Sequence, residues 1–186
     1  MMDIVTKAKE FASHAHKNHV RKDKDKTPYI YHVEETAENV RKSGGNEREI
    51  AAAWLHDTVE DTPTTIEDIL REFGDEICDI VEGVTDLPEW NNLSMHERKT
   101  EQAERILNAS NSIKRVKLSD QASNVRIAGL LNDIFTLDEK FVYLDRAKQI
   151  AEACRGVSPY LDELFAKYYK VTFKNLKASQ EQGELS

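Results

Sequence analysis

The chain's most concentrated chemistry lies in Ala51-Ala52-Ala53-Trp54-Leu55-His56-Asp57-Thr58-Val59-Glu60-Asp61-Thr62. An adjacent His-Asp pair at the end of an apolar helix offers one imidazole nitrogen and one carboxylate oxygen from consecutive residues. Both are ligands that a divalent first-row cation accepts. Alone, the pair fits equally well a helix C-terminus, where an imidazolium meets the negative pole of the helix dipole while the aspartate starts a turn. Glu60 and Asp61 shift that balance. The run His56, Asp57, Glu60, Asp61 packs three acids and one imidazole into six residues beside an apolar helix, which stability alone does not select.

Two further residues are placed to join the pair. His32 lies 24 residues before His56 on a neighbouring helix, and the short Gly44-Gly45 turn lets two antiparallel helices set both imidazoles on facing sides. Asp120 lies 63 residues after Asp57, inside Val116-Lys117-Leu118-Ser119-Asp120-Gln121-Ala122-Ser123-Asn124-Val125-Arg126, whose apolar positions are those of a core helix. A carboxylate buried there costs several kcal/mol unless a positive charge pairs with it. A metal ion would supply that charge.

The elements that must position these residues are helical. Turn residues are few, Gly 7 and Pro 4, and apolar residues recur three or four apart over long segments. The spacing predicts an all-α domain, with a first helix over 3–18, a polar basic loop over 19–27, and a second helix after Pro28 that ends at Ser43-Gly44-Gly45. A third helix from Asn46 delivers His56 and Asp57 at its last turn. Thr64 with Glu67 and Ser94 with Glu97 have the capping-box form, and Asp75 to Val84 forms a helix between them. Long helices follow from Asn111 and over 137–154, and Ser158-Pro159 opens the last. The organisation expected is a single domain over 1–176 with a flexible tail over 177–186. Asp86 to Leu93 reads as an exposed loop beside the site.

Composition bounds the function classes. Lys+Arg 26 against Asp+Glu 34 gives a net charge of −8, which argues against coating a nucleic-acid polymer, since that binding draws on phosphate neutralisation. No apolar run approaches a membrane span, and Asp3, Lys7, Lys9 and Glu10 follow the first residue where a signal peptide would be apolar, so a cytoplasmic protein is expected. Cys78 and Cys154 lack a C-x-x-C spacing and read as buried free thiols. His14, His16 and His19 are clustered, but read as structural or surface residues, and His96 as exposed.

With these residues in place, the pattern His32, His56-Asp57, Asp120 resembles the metal set of the HD-domain phosphohydrolase superfamily. Within it, the chain is similar to the hydrolase domain of the RelA/SpoT family and most of all to stand-alone small alarmone hydrolases. Three passages carry the resemblance: Arg21-Lys22 leading to Thr27-Pro28-Tyr29-Ile30-Tyr31-His32, then His56 to Thr62, then Lys117-Leu118-Ser119-Asp120 with Asn124 and Arg126. It spans residues 3–155.

The resemblance implies an HD-domain helical bundle with a metal site between core helices. It also implies hydrolysis of guanosine 3′,5′-bis(diphosphate), or its pentaphosphate form, at the 3′ position, releasing pyrophosphate and GDP or GTP. Manganese would be the cofactor and His32, His56, Asp57 and Asp120 its ligands. Glu60 and Asp61 would stand beside the attacking water, one of them taking its proton. Arg21 and Lys22 would hold phosphate oxygens and Asn124 would contact the nucleotide. The stretch after Arg155 is too short for a synthetase fold, so synthesis is not expected.

The sequence departs from the family at two places. Val33 follows His32 where the family usually has proline, and Gln121, Ala122 and Ser123 occupy a turn that usually begins with a basic residue and has a Leu or Tyr before the asparagine. Losing that cation would weaken phosphate binding or admit another nucleotide. Two other readings therefore stay open: an HD phosphohydrolase acting on a nucleoside mono- or triphosphate or a nicotinamide dinucleotide phosphate, and a catalytically silent alarmone-binding protein. The oligomeric state is left open.

Overall fold

The computed structural model describes residues 2–21, 23, 25–128 and 135–183. Ten α-helices span them: α1 Ile4–Ala15, α2 Ile30–Lys42, α3 Glu47–Leu55, α4 Thr58–Asp61, α5 Ile66–Phe73, α6 Asp75–Val84, α7 Met95–Leu107, α8 Asn111–Ala128, α9 Leu137–Ala153 and α10 Pro159–Gly183. Among the described residues no β-strand occurs, only one isolated bridge between Val20 and Pro28.

The centre of the bundle is α3. Ala51, Ala52 and Ala53 are buried on successive faces, and the helix packs against α1, α2, α6 and α8. Small side chains let those neighbours approach closely. Asn46 caps its N-terminus, accepting from the Arg48 and Glu49 amides while the Glu49 carboxylate accepts from the Asn46 amide. The start of α3 is thus fixed, and its length decides where His56 and Asp57 emerge.

Apolar residues gather into two clusters. One joins α1, α2, α3, α5 and α6, and the other joins α7, α9 and α10. Helix α8 belongs to both, giving Val116 to the first and Leu118, Ala122 and Val125 to the second. Residues 116 and 118 point to nearly opposite sides of a helix, so one element can serve two cores. Asp120 is carried on this shared helix.

Four sequence expectations change in the structure. The capping box of α5 is Thr65 with Asp68, one residue later than Thr64 with Glu67, because the Thr64 amide donates to the Thr62 hydroxyl and Thr65 takes the extended cap conformation. Helix α1 ends at Ala15, three residues short of the expected end. The stretch Asp86 to Leu93 is not simply an exposed loop: Pro88–Asn92 forms a 3₁₀ turn that buries Trp90. Finally, α10 continues to Gly183 and carries residues 177–183, where the sequence suggests a tail; Leu176 is buried against the second cluster and the Lys177 ammonium sits over the Phe141 ring. Cys78 and Cys154 are buried free thiols, as expected.

The turn between α2 and α3 sets the register of the two histidines. Gly44 has φ +81°, a conformation that costs an L side chain on the order of 1 kcal/mol. Gly45 is tighter: a Cβ there would sit 2.6 Å from Val40 Cγ1 and 2.8 Å from the Val40 carbonyl oxygen. Gly45→Ala should therefore destabilise the protein by about 1–3 kcal/mol and by more than Gly44→Ala. Denaturant unfolding of the two variants checks the order.

Candidate metal centre

His56 is the C-cap residue of α3, and Asp57 precedes the first residue of α4. His32 lies in the first turn of α2, and Asp120 in the middle of α8. The four side chains converge from these three regions. The His32 and His56 rings face each other at 5.2 Å with their Nε2 atoms 3.3 Å apart. Asp57 Oδ2 lies 3.0 Å from His56 Nε2 and 3.4 Å from His32 Nε2. Asp120 Oδ1 lies 3.3 Å from His32 Nε2 and 3.8 Å from His56 Nε2. All four residues expected from the sequence to hold a metal are thus brought together.

Each imidazole is oriented by its other nitrogen. His56 Nδ1 donates to the Ala53 carbonyl at 2.8 Å, and His32 Nδ1 donates to Ser123 Oγ at 2.9 Å. Both Nε2 atoms then point into the space between the rings, the arrangement a ligating histidine needs. The carboxylates are held as firmly. Tyr29 Oη donates to Asp57 Oδ2 at 2.7 Å, and Asp120 accepts from Asn124 Nδ2 at 2.5 Å and from Gln121 Nε2 at 2.8 Å.

The electrostatics ask for a cation. Burial opposes charge on His56, yet Asp57 and Asp120 push its imidazole up to about 9. Burial likewise opposes the carboxylates, but His56 and His32 hold Asp57 well below the usual range, and His32 with Lys117 holds Asp120 low. Two imidazole nitrogens and two carboxylate oxygens that favour nearby positive charge form a donor set suited to a divalent first-row metal. His32, His56 and Asp57 in particular offer ligand atoms all within 4.8 Å of one another.

The remaining candidates ring this centre. Glu60 follows on α4, and its Oε1 accepts from the Asp86 amide at 2.7 Å. The residue reaches solvent, but its carboxyl is hemmed in by protein and by Asp57 and Asp86, which together outweigh Lys117 and push it up to about 7. The Asp61 carboxyl is raised by desolvation and Asp57. Arg21 Nη2 donates to Asn124 Oδ1 at 3.0 Å, joining two of the expected nucleotide contacts, while its Nη1 is buried with no partner. Lys22 lies outside the described residues. Of the histidine cluster, His16 is buried beside Tyr29, its ring 5.1 Å away, and His96 accepts from Arg146 Nε on the surface.

Sequence reasoning missed the partners that hold the ligands. Tyr29 stands one turn before His32, a spacing that was visible but carried no assignment. Lys117 is buried and lies 3.9 Å from Asp120 Oδ2, so Asp120 has a protein cation to pair with. Gln121 replaces the usual basic residue but does not leave the site without cations there. The buried Lys99 of α7 donates to Gln121 Oε1 at 3.2 Å and sits 4.5 Å over the Tyr143 ring. A lysine in the text of α7 gave no sign that it would reach α8.

The comparisons with known proteins follow this geometry. The HD-domain family profile matches residues 8–129. The chain belongs to the HD-domain family. This chain is 36% identical over 162 residues to the guanosine-3′,5′-bis(diphosphate) 3′-pyrophosphohydrolase MESH1 of Xenopus tropicalis, covering 86% of this chain and 89% of that one. A probable guanosine-3′,5′-bis(diphosphate) 3′-pyrophosphohydrolase of Synechocystis is 39% identical over 132 residues, but the match covers only 17% of that longer chain. The solved structure of a metazoan ortholog of SpoT that hydrolyzes ppGpp superposes with a TM-score of 0.83 at 28% identity, over 91% of this chain and 96% of that one. Among the described residues no helix of this HD domain is long and apolar enough to cross a membrane.

A divalent cation that binds only the folded HD domain should raise its stability by about 2.7 kcal/mol at a hundred times its Kd. His56→Ala and Asp57→Ala should lose that gain. Thermal melts with and without added metal test the centre without any substrate.

Proposed function

We propose that this chain hydrolyses guanosine 3′,5′-bis(diphosphate), or the pentaphosphate form, at the 3′ position: water and substrate give pyrophosphate and GDP or GTP. The observation that carries the reading is the convergence of His32, His56, Asp57 and Asp120, found in a chain whose relatives include curated pyrophosphohydrolases of that specificity. The coordination chemistry suits manganese, and the four residues would hold it. Once bound, the ion would lower the pKa of water and offset charge growing on phosphoryl oxygens.

In this reading the protein's own groups supply position and proton transfer. Glu60 or Asp61 takes the proton from the attacking water, and a carboxyl poised near 7 is well matched to that task at neutral pH. Tyr29 keeps Asp57 in place, and Asn124 does the same for Asp120. The unpartnered Arg21 Nη1 is a donor already aimed within the fold, and Arg21 with Lys22 would meet phosphate oxygens. The cation lost at position 121 is replaced in space by Lys99, which donates to Gln121, and this supports a polyanionic substrate despite the departure from the family pattern. The reading is of a cytoplasmic enzyme acting on a small nucleotide, with no polymer or membrane partner.

Product analysis with manganese tests this directly. Guanosine 3′,5′-bis(diphosphate) should yield pyrophosphate and GDP; release of orthophosphate, or turnover of other nucleotides alone, would replace the substrate assignment. Glu60→Ala should keep the metal-induced stabilisation and lose about 10²- to 10⁴-fold in kcat. Full activity in that variant would remove Glu60 from the proton-transfer role.

A further inference from the structure

Behind His32 runs a polar chain that leaves the metal centre and ends at the surface. His32 Nδ1 donates to Ser123 Oγ at 2.9 Å, and Ser123 Oγ in turn donates to Glu35 Oε2 at 2.5 Å. Glu35 is gripped by Arg126 through two parallel bonds of 2.8 Å, Nε to Oε1 and Nη2 to Oε2. The inner members are sealed from water: His32 is 1% exposed and Ser123 fully buried, whereas Arg126 is half-exposed.

The direction of every hydrogen in this chain follows from its outer end. Arg126 can only donate, so the Glu35 carboxylate accepts. Burial opposes its charge, but the Arg126 and Ser123 hydrogen bonds keep it ionised, below the usual range. An ionised carboxylate 2.5 Å from a hydroxyl oxygen leaves Ser123 only one role toward it, that of donor. With its single proton committed, Ser123 Oγ presents a lone pair to His32 and accepts the Nδ1 proton. The imidazole then turns Nε2 towards His56, Asp57 and Asp120, where its lone pair would be directed at a bound cation.

We infer that Ser123 and Glu35 are positioning residues for the metal centre: the His32–Ser123–Glu35–Arg126 chain fixes the tautomer and ring plane of His32 so that Nε2 is available to a cation. Ser123 is one of the residues at which this chain departs from the family pattern, and a larger side chain there would occupy the space through which the relay runs. Glu35 is one turn along α2 from His32, and Ser123 one turn along α8 from Asp120, so the relay also ties together the two helices that carry opposite sides of the centre. The inference rests on the assignment of His32 as a ligand.

The test is manganese affinity of the metal-free full chain, read from the electron paramagnetic resonance signal of the free ion, with melting temperature measured alongside. Ser123→Ala and Glu35→Ala should each weaken binding by about tenfold. Because both break the same chain, the double variant should bind about as weakly as either single one rather than losing the product of both effects. A purely structural role would lower the metal-free melting temperature and leave the affinity unmoved, which overturns the relay, as does a multiplicative loss in the double variant. His32→Ala is the control on the underlying assignment: unchanged affinity there removes His32 as a ligand, whereas loss in His32→Ala with wild-type affinity in Ser123→Ala removes only the relay.

Discussion

The structure is governed by an electrostatic constraint: the buried Asp120 and the largely covered Asp57 meet two buried imidazoles where water screens them poorly. Isolated, a carboxylate in such a place costs several kcal/mol. The protein offsets part of this with Lys117 beside Asp120 and with the hydroxyl and amide donors of Tyr29, Asn124 and Gln121. What it leaves is a space lined by four ligand atoms in a field that favours positive charge. The bundle around it can be understood as the scaffold needed to hold that field in place.

Each group that lines the space is held by a second one, and for Asp57 and His32 that partner comes from a different stretch of chain. His56 is fixed by its own helix through Ala53, Asp57 by Tyr29 from the loop before α2, and His32 by Ser123 from α8. Such cross-bracing orients the groups before any ligand arrives, so binding need not also order the site. It also explains why the centre sits where α2, α3 and α8 meet: each of these helices packs against the other two, so three backbones can brace one another.

How far the sequence revealed this differs by level. The helical class and the convergence of His32, His56, Asp57 and Asp120 were legible because ligands announce themselves by residue type, and because Asp120 in an apolar helix has no reason to be there otherwise. Bracing residues give no such signal. Ser123 is a serine inside a helix, Glu35 a glutamate on a helix face and Lys99 one charge among several on α7; each acquires meaning only when another helix is laid across it. The burial of Trp90 was hidden for the same reason, since a stretch that mixes two acids, two asparagines and a proline reads as polar while one large side chain in it can still turn inward. The Thr65 cap was misplaced by one residue because two adjacent threonines satisfy the same pattern and only the backbone conformation separates them.

The tight connection through Gly44 and Gly45 carries a consequence for how such a chain can vary. His32 and His56 oppose each other across two rigid rods joined by a short corner, Ser43 to Asn46. One amino acid inserted in either rod would swing everything beyond it by about 100° and turn one ring away from the other. The stretch from Thr85 to Ser94 is under no such phase restriction, because length added there is absorbed before α7 begins. Descendants of this sequence can therefore lengthen or shorten that connection to reshape the surroundings of Glu60, which accepts from the Asp86 amide, while the count of residues between the two imidazoles stays frozen.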